Sequence, residues 1–140
     1  SHGADLRSWS MWLHFSALSS YLFTATPLVG LVAPIVIWQM KKDIMPGIEV
    51  HGKNAINFHL SLLAYTFILG IIGTVFILVT FGLGAFLVGP LGALALAVLG
   101  IVGLVFPILA GVEANKGRVY KYPLTIDFFK LFAKDQQSGS

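Results

Sequence analysis

Two long intervals of the chain, residues 8–40 and 54–112, carry no Asp, Glu, Lys or Arg and are dominated by apolar side chains. A bilayer's hydrocarbon core is about 30 Å thick and takes about 20 apolar residues per crossing helix, so the two intervals have room for three or four spans. The first interval is punctuated at Thr26 and Pro27, a hydroxyl cap followed by proline at the first helical position. One helix is therefore predicted over 8–25 and another over 27–40. The tryptophans agree with a hairpin. A single helix would hold Trp9 and Trp38 about 43 Å apart, whereas a hairpin brings Trp9, Trp12 and Trp38 to one membrane interface, where tryptophan concentrates. The second arm is only about 21 Å long, with Pro34 as a source of a kink. After the loop 41–53, turned at Pro46 and Gly47, an interfacial start near Ile48 leads into a long span predicted over 50–81. Residues 82–90 read as an uncharged turn, and 91–113 as the last span, kinked at Pro107. In the tail, Ile126, Phe129, Leu131 and Phe132 beside Lys130 and Lys134 suit a short amphipathic helix on anionic headgroups. The expected fold is an all-α integral membrane protein of four membrane helices, forming one polytopic domain over residues 1–140.

Composition narrows the class. Of 140 residues, 56% are hydrophobic and 11% charged, against roughly 25% charged in soluble domains, and the mean hydropathy is +0.84. The polar remainder is too short for a catalytic head. The first apolar run lacks a basic leader and continues into more apolar sequence, so it does not read as a cleaved signal. With no cysteine there is no disulfide, thiolate metal site or iron–sulfur cluster. Lys41, Lys42 and Lys53 fall in one loop, and Lys116, Arg118, Lys121, Lys130 and Lys134 in the tail. With four segments all of them lie on one side, which the positive-inside rule makes cytoplasmic, with both termini. Three spans would move the N-terminus outside, and Arg7 alone scarcely opposes that. The expected location is a bacterial inner membrane or an internal membrane derived from it.

Candidate chemistry is sparse. At about 100° per residue, His51, Asn54, Asn57, Ser61 and Tyr65 share one sector of the third helix. His59, Thr66, Gly70 and Gly73 form a second, narrower stripe. Polar groups in lipid need partners inside the bundle, so the first stripe is expected to face other helices, as a packing seam or a small polar cavity. His14 and His59 are the candidates for holding a tetrapyrrole. No cofactor is otherwise expected, since metal-ligand spacing and carboxylates within a span are both absent. Coupled transport lacks its usual mid-membrane ionisable group, and Glu113, the nearest carboxylate, sits beside Lys116 and Arg118 as an interfacial ion pair. Ser16, Ser19 and Ser20 have no base to activate them and read as hydrogen-bonding groups between helices. Gly92, Gly100, Gly103, Pro107, Gly111 and Ala114 share a face of the last span where another helix can approach closely, within the monomer or across a subunit interface.

Three stretches carry a family resemblance: APIVIWQMKKD from residue 33, VHGKNAINFHLS from 50 and ANKGRVYKYPLTI from 114. The signature is met at Pro34 and Trp38, at His51, Gly52, Ala55, Asn57 and Phe58, and at Ala114, Asn115, Gly117, Tyr120, Tyr122 and Pro123. Over residues 9–128 the chain resembles the Tic-twenty-like family of small bacterial membrane proteins, related to a component of the chloroplast inner-envelope import machinery and more distantly to the magnetosome protein MamF. The resemblance implies a compact four-helix membrane protein with cytoplasmic termini, and no catalytic residues carry over. The function expected is a non-enzymatic scaffold or assembly factor, linked to protein translocation or organelle assembly. Its partners would be the lipid bilayer and other membrane proteins or further copies of itself, with no nucleic acid. Two other classes fit the composition: an accessory subunit of a pigment or haem complex, and an oligomeric pore or permease.

Overall fold

A computed structural model describes residues 2–18 and 27–138. They form five helices: α1 His2–Ser16, α2 Pro27–Lys41, α3 Ile48–Val79, α4 Ala85–Asn115 and α5 Phe128–Ser138. α2 begins at the proline that the sequence marks, while the turn at Thr26 and residues 19–25 of the first predicted helix lie outside the described residues. Where the pattern predicts a start at residue 8, α1 begins at His2. Its first turn takes in Asp5, whose charge suits a helix N-terminus.

Two of the helices, not four, are long and apolar enough to cross a membrane: α3 and α4. α1 and α2 have 15 residues each, about 22 Å at the α-helical rise, short of the roughly 30 Å hydrocarbon core. α4 also starts six residues earlier than the predicted 91, with Pro90 inside it. The reversal between α3 and α4 is tighter than expected because Phe81 and Gly82 are both left-handed (φ 54° and 90°), and Gly82 N–H closes on the Ile77 carbonyl at 2.8 Å. Glycine adopts that backbone without a Cβ clash, and Thr80 Oγ1 accepts from Gly84 N–H at 2.8 Å to fix the next turn.

The core occupies one end of this hairpin. In α3 the buried residues run from Ile48 to Ser61, and in α4 they begin at Gly103 and end at Ala114. Beyond them Phe67, Ile72, Val75 and Leu78 on α3 and Leu91, Leu94 and Ile101 on α4 point outward. A soluble helix buries its apolar stripe; helices solvated by hydrocarbon have no need to. At the packed end, Leu13, Ile48 and Ala55 are covered by Leu6, Trp9, Ile37 and Trp38. A second cluster joins Phe58 and Ala110 to Tyr122 of the tail. Trp9 and Trp38 pack against the same cluster, and Lys41 Nζ lies 4.1 Å from the Trp9 ring centre.

Glycine permits the closest approaches. A Cβ on Gly52 would stand 2.8 Å from the Trp38 ring, and one on Gly111 would collide with the Phe15 ring. Gly111→Ala is therefore expected to destabilise the bundle by about 1–3 kcal/mol through overpacking, despite alanine's better helix propensity. Thermal unfolding in micelles measures this, and restoration of the melting temperature by pairing Gly111→Ala with Phe15→Leu would locate the clash.

Candidate functional site

Four residues of the predicted α3 stripe, Asn54, Asn57, Ser61 and Tyr65, bond to the C-terminal tail and not to another helix. α4 ends at Asn115, and Gly117 just beyond it is left-handed at φ 81°, the usual device for stopping a helix. The chain then leaves as extended backbone. Asn54 Nδ2 donates to the Tyr120 carbonyl at 3.3 Å, and Tyr65 Oη donates to the Leu124 carbonyl. Ser61 Oγ accepts from Ile126 N–H at 2.8 Å while donating to the Asn57 carbonyl at 2.7 Å. Asn57 closes the set: Oδ1 accepts from Phe128 N–H and Nδ2 donates to Asp127 Oδ1, each at 3.1 Å. Asp127 Oδ1 also accepts from Lys130 N–H, capping α5.

Read along α3, the tail pairs first at 54, then at 65, then returns through 61 to 57. The excursion from 54 to 65 is about 16 Å along the helix, so residues 120–128 form a loop that climbs α3 and comes back. Its tip is Leu124, left-handed at φ 57° and exposed. The stripe expected to face helices faces this loop because helices satisfy their own backbone groups, whereas extended chain brings unpaired N–H and C=O groups that need side-chain partners away from water.

His51, the first residue of the stripe, turns to α1 instead. His14 stands between two partners, its Nδ1 2.6 Å from Tyr122 Oη and its Nε2 3.1 Å from His51 Nδ1. Two proton arrangements satisfy this chain: Tyr122 donates to His14, which donates to His51, or every donor is reversed. Tyr122 also stacks on Phe58 with ring centres 4.3 Å apart, and Tyr120 stacks on Phe106. The node thus ties α1, α3 and the tail loop together through groups buried from water.

Burial, and secondarily the neighbouring Tyr120, holds the Tyr122 phenol well above its ordinary ionisation range. A folded state that keeps its phenolic proton more tightly than the unfolded chain has flat stability below about pH 10, the unfolded value, and loses stability as pH rises above it. A melting-temperature series in micelles is expected to show that alkaline decline, and Tyr122→Phe to lack most of it.

The other candidate residues separate. His59 is buried and its Nε2 has no hydrogen-bond partner among the described residues, as is true of Ser10 Oγ. Its ring packs edge-on against Phe58, and both ring nitrogens of His14 are already engaged. Among the described residues no group of three or more His, Asp or Glu side chains is arranged to hold a metal ion. On α4, Gly103, Pro107, Gly111 and Ala114 are buried inside the monomer, whereas a Cβ on Gly92 would meet nothing within 4 Å. The predicted single face is thus split between the packed end and the bare end. Glu113 pairs with Lys116 at 3.7 Å and with Arg118 at 3.3 Å. A polar cleft of about 440 Å³ opens beside Glu49, Lys53, Asn54, Asn57 and Asp127, but Glu49 is already paired with Lys53 at 3.0 Å.

Three working residues were given no role by the sequence: Tyr120, Tyr122 and Asp127. Their signals were present. Tyrosines two apart in extended chain point to one side, and Asp immediately before a short amphipathic run is a helix cap.

No curated protein and no solved structure gives a significant match to the chain. A protein-family model does match, over residues 5–129, covering the packed bundle, the bare hairpin and the tail loop. It lends no support to the Tic-twenty-like assignment and agrees instead with the relation expected to be the more distant one: the chain belongs to the MamF_MmsF family, the magnetosome magnetite crystal formation protein family.

Proposed function

We propose that this protein is a non-enzymatic component of a magnetosome membrane that acts by association, as a scaffold or assembly factor in magnetite crystal formation. The family supplies the process. The observation that supports association over catalysis is the use of the polar side chains: His14, His51, Asn54, Asn57, Ser61, Tyr65 and Tyr122 all bond to other parts of the same chain, and Asn54 and Asn57, which border the polar cleft, are themselves engaged with the tail. In this reading the basic end and both termini face the cytoplasm.

The test is genetic and biochemical together, in a magnetosome-forming host. A tagged chain is expected to co-purify with magnetosome membranes, its removal to change crystal size or number, and cross-linking in those membranes to recover a reproducible protein partner or a homo-oligomer. Crystals unchanged on removal, or a chain that remains monomeric and without partners in its own membrane, would end this proposal. The absence of native cysteine makes orientation simple to measure. Thiols introduced by Asp43→Cys and by Leu83→Cys should react with an impermeant maleimide from opposite sides.

A further inference from the structure

α3 carries its own depth gauge. Its buried positions run from Ile48 to Ser61, and it contains an apolar stretch of 18 residues with none of them buried, which can only be residues 62–79. At the helical rise that stretch is about 27 Å long, close to the roughly 30 Å hydrocarbon core. The polar groups just before it therefore lie at headgroup depth. Asn57 is about 7 Å before residue 62, within a headgroup layer about 5–8 Å thick, and Asn54 is nearly one turn further toward water.

The tail loop spans the same depth. Tyr65 holds the Leu124 carbonyl at the loop's tip, in the first turn of the bare stretch, and Asn57 holds Phe128 N–H on the way back. Between loop and helix is a cavity of about 150 Å³ lined by Asn54, Asn57, Lys121, Tyr122, Thr125 and Asp127, room for about five waters at about 30 Å³ each. Its lining carries one cation and one anion that do not pair with each other. Among the described residues Lys121 forms no ion pair. Asp127 uses only Oδ1, which accepts from Asn57 Nδ2 and from Lys130 N–H, so Oδ2 has no partner there. Both residues are exposed and so can be reached from outside. The larger cleft of about 440 Å³ shares Asn54, Asn57 and Asp127 with this cavity, but its own cation, Lys53, is already neutralised by Glu49.

We propose that the small cavity is a site for a phosphoethanolamine group, the head of a phospholipid, with the phosphate on Lys121 and the primary ammonium on Asp127 Oδ2. Opposite charges that line one cavity and leave each other unpaired suit a ligand that carries both. Water-poor surroundings at the membrane surface strengthen each charge–charge contact relative to bulk water. An anionic head with no cation satisfies Lys121 and is repelled by Asp127, while a trimethylated ammonium brings no N–H to donate to the carboxylate. Depth favours the lipid over the free zwitterion. A phosphate at the level of Asn57 has its acyl chains starting where the bare stretch starts, beside the exposed Leu124. The inference goes beyond the association reading and does not depend on it.

The test is native mass spectrometry of the full chain released from micelles containing equal amounts of phosphatidylethanolamine, phosphatidylglycerol and phosphatidylcholine with the same acyl chains. The expected result is a phosphatidylethanolamine adduct several-fold more abundant than the other two. Lys121→Gln and Asp127→Asn should each erase that preference, and Lys42→Gln, at an exposed lysine that lines neither cavity, should keep it. Lys121→Gln removes no ion pair, and Asp127→Asn retains the Oδ1 acceptor; unchanged amide exchange at Phe128 verifies that the loop stays in place. Equal adducts for the three lipids, a preference that survives Lys121→Gln, or an equal loss in Lys42→Gln would overturn the proposal. Free phosphoethanolamine added at the lipid's own concentration separates the two sources. The lipid adduct is expected to persist, and its displacement would overturn the lipid assignment in favour of a soluble zwitterion. The sample holds no protein partner and no mineral, so failure here leaves the scaffold reading standing, and failure of the genetic test leaves this one standing.

Discussion

Replacing His14 by alanine is expected to cost the fold about 3–5 kcal/mol, the largest effect of any single truncation in the packed end. The imidazole is fully buried. Its removal leaves Tyr122 Oη and His51 Nδ1 without the partners they now have at 2.6 and 3.1 Å, each an unsatisfied buried group worth about 1–3 kcal/mol. The cavity term adds to that. His14→Phe restores volume without the nitrogens, so it should recover the cavity contribution and none of the hydrogen bonding. Equilibrium unfolding in micelles, followed by tryptophan fluorescence from Trp9, Trp12 and Trp38, separates the two contributions. A His14→Ala protein as stable as the parent would show that the node has no structural weight.

Asn57→Asp is the second large effect, because an almost isosteric change reverses one interaction and keeps the other. The new carboxylate still accepts from Phe128 N–H, but it faces Asp127 Oδ1 at a separation that is now 3.1 Å. Two carboxylates at that distance cannot both ionise without a large penalty. We expect about 2–4 kcal/mol of lost stability, concentrated in the tail loop and α5 rather than in the α3–α4 hairpin. Faster amide exchange at Ile126 and Phe128 and new tryptic cleavage at Lys121 and Lys130 are the readouts. Adding Asp127→Asn exchanges the two partners and should restore much of the protection. If the double variant is as loose as the single one, the Asn57–Asp127 contact is not what holds the loop.

Much of the secondary structure was legible because it depends on local rules. Pro27 started a helix where a proline at the first position should, α3 began at Ile48 where a helix start was predicted, and the alternation of basic loops with uncharged intervals placed the long hairpin. The errors have local causes too. The reversal after α3 was expected to extend to residue 90 because glycine and proline mark turns; a left-handed Phe81 before Gly82 completed it within a few residues, which no propensity predicts. The count of four crossing helices treated apolar composition as sufficient, whereas α1 and α2 are too short in the described residues and rest against one half of the hairpin.

The sequence by itself pointed to a bilayer as the solvent of this protein, to the end at which its charge collects, and to the helical periodicity that aligns His51, Asn54, Asn57, Ser61 and Tyr65, while it overcounted the helices able to cross. Those properties follow from side-chain transfer energies and from 100° per residue, and they need no knowledge of distant contacts. Tertiary structure alone decided what that aligned stripe was for. The pairing of Asn57 with Phe128, of Ser61 with Ile126 and of His14 with Tyr122 joins residues 71, 65 and 108 positions apart. It arises because an extended segment, unlike a helix, must find partners for its own backbone, and the α3 stripe offers them.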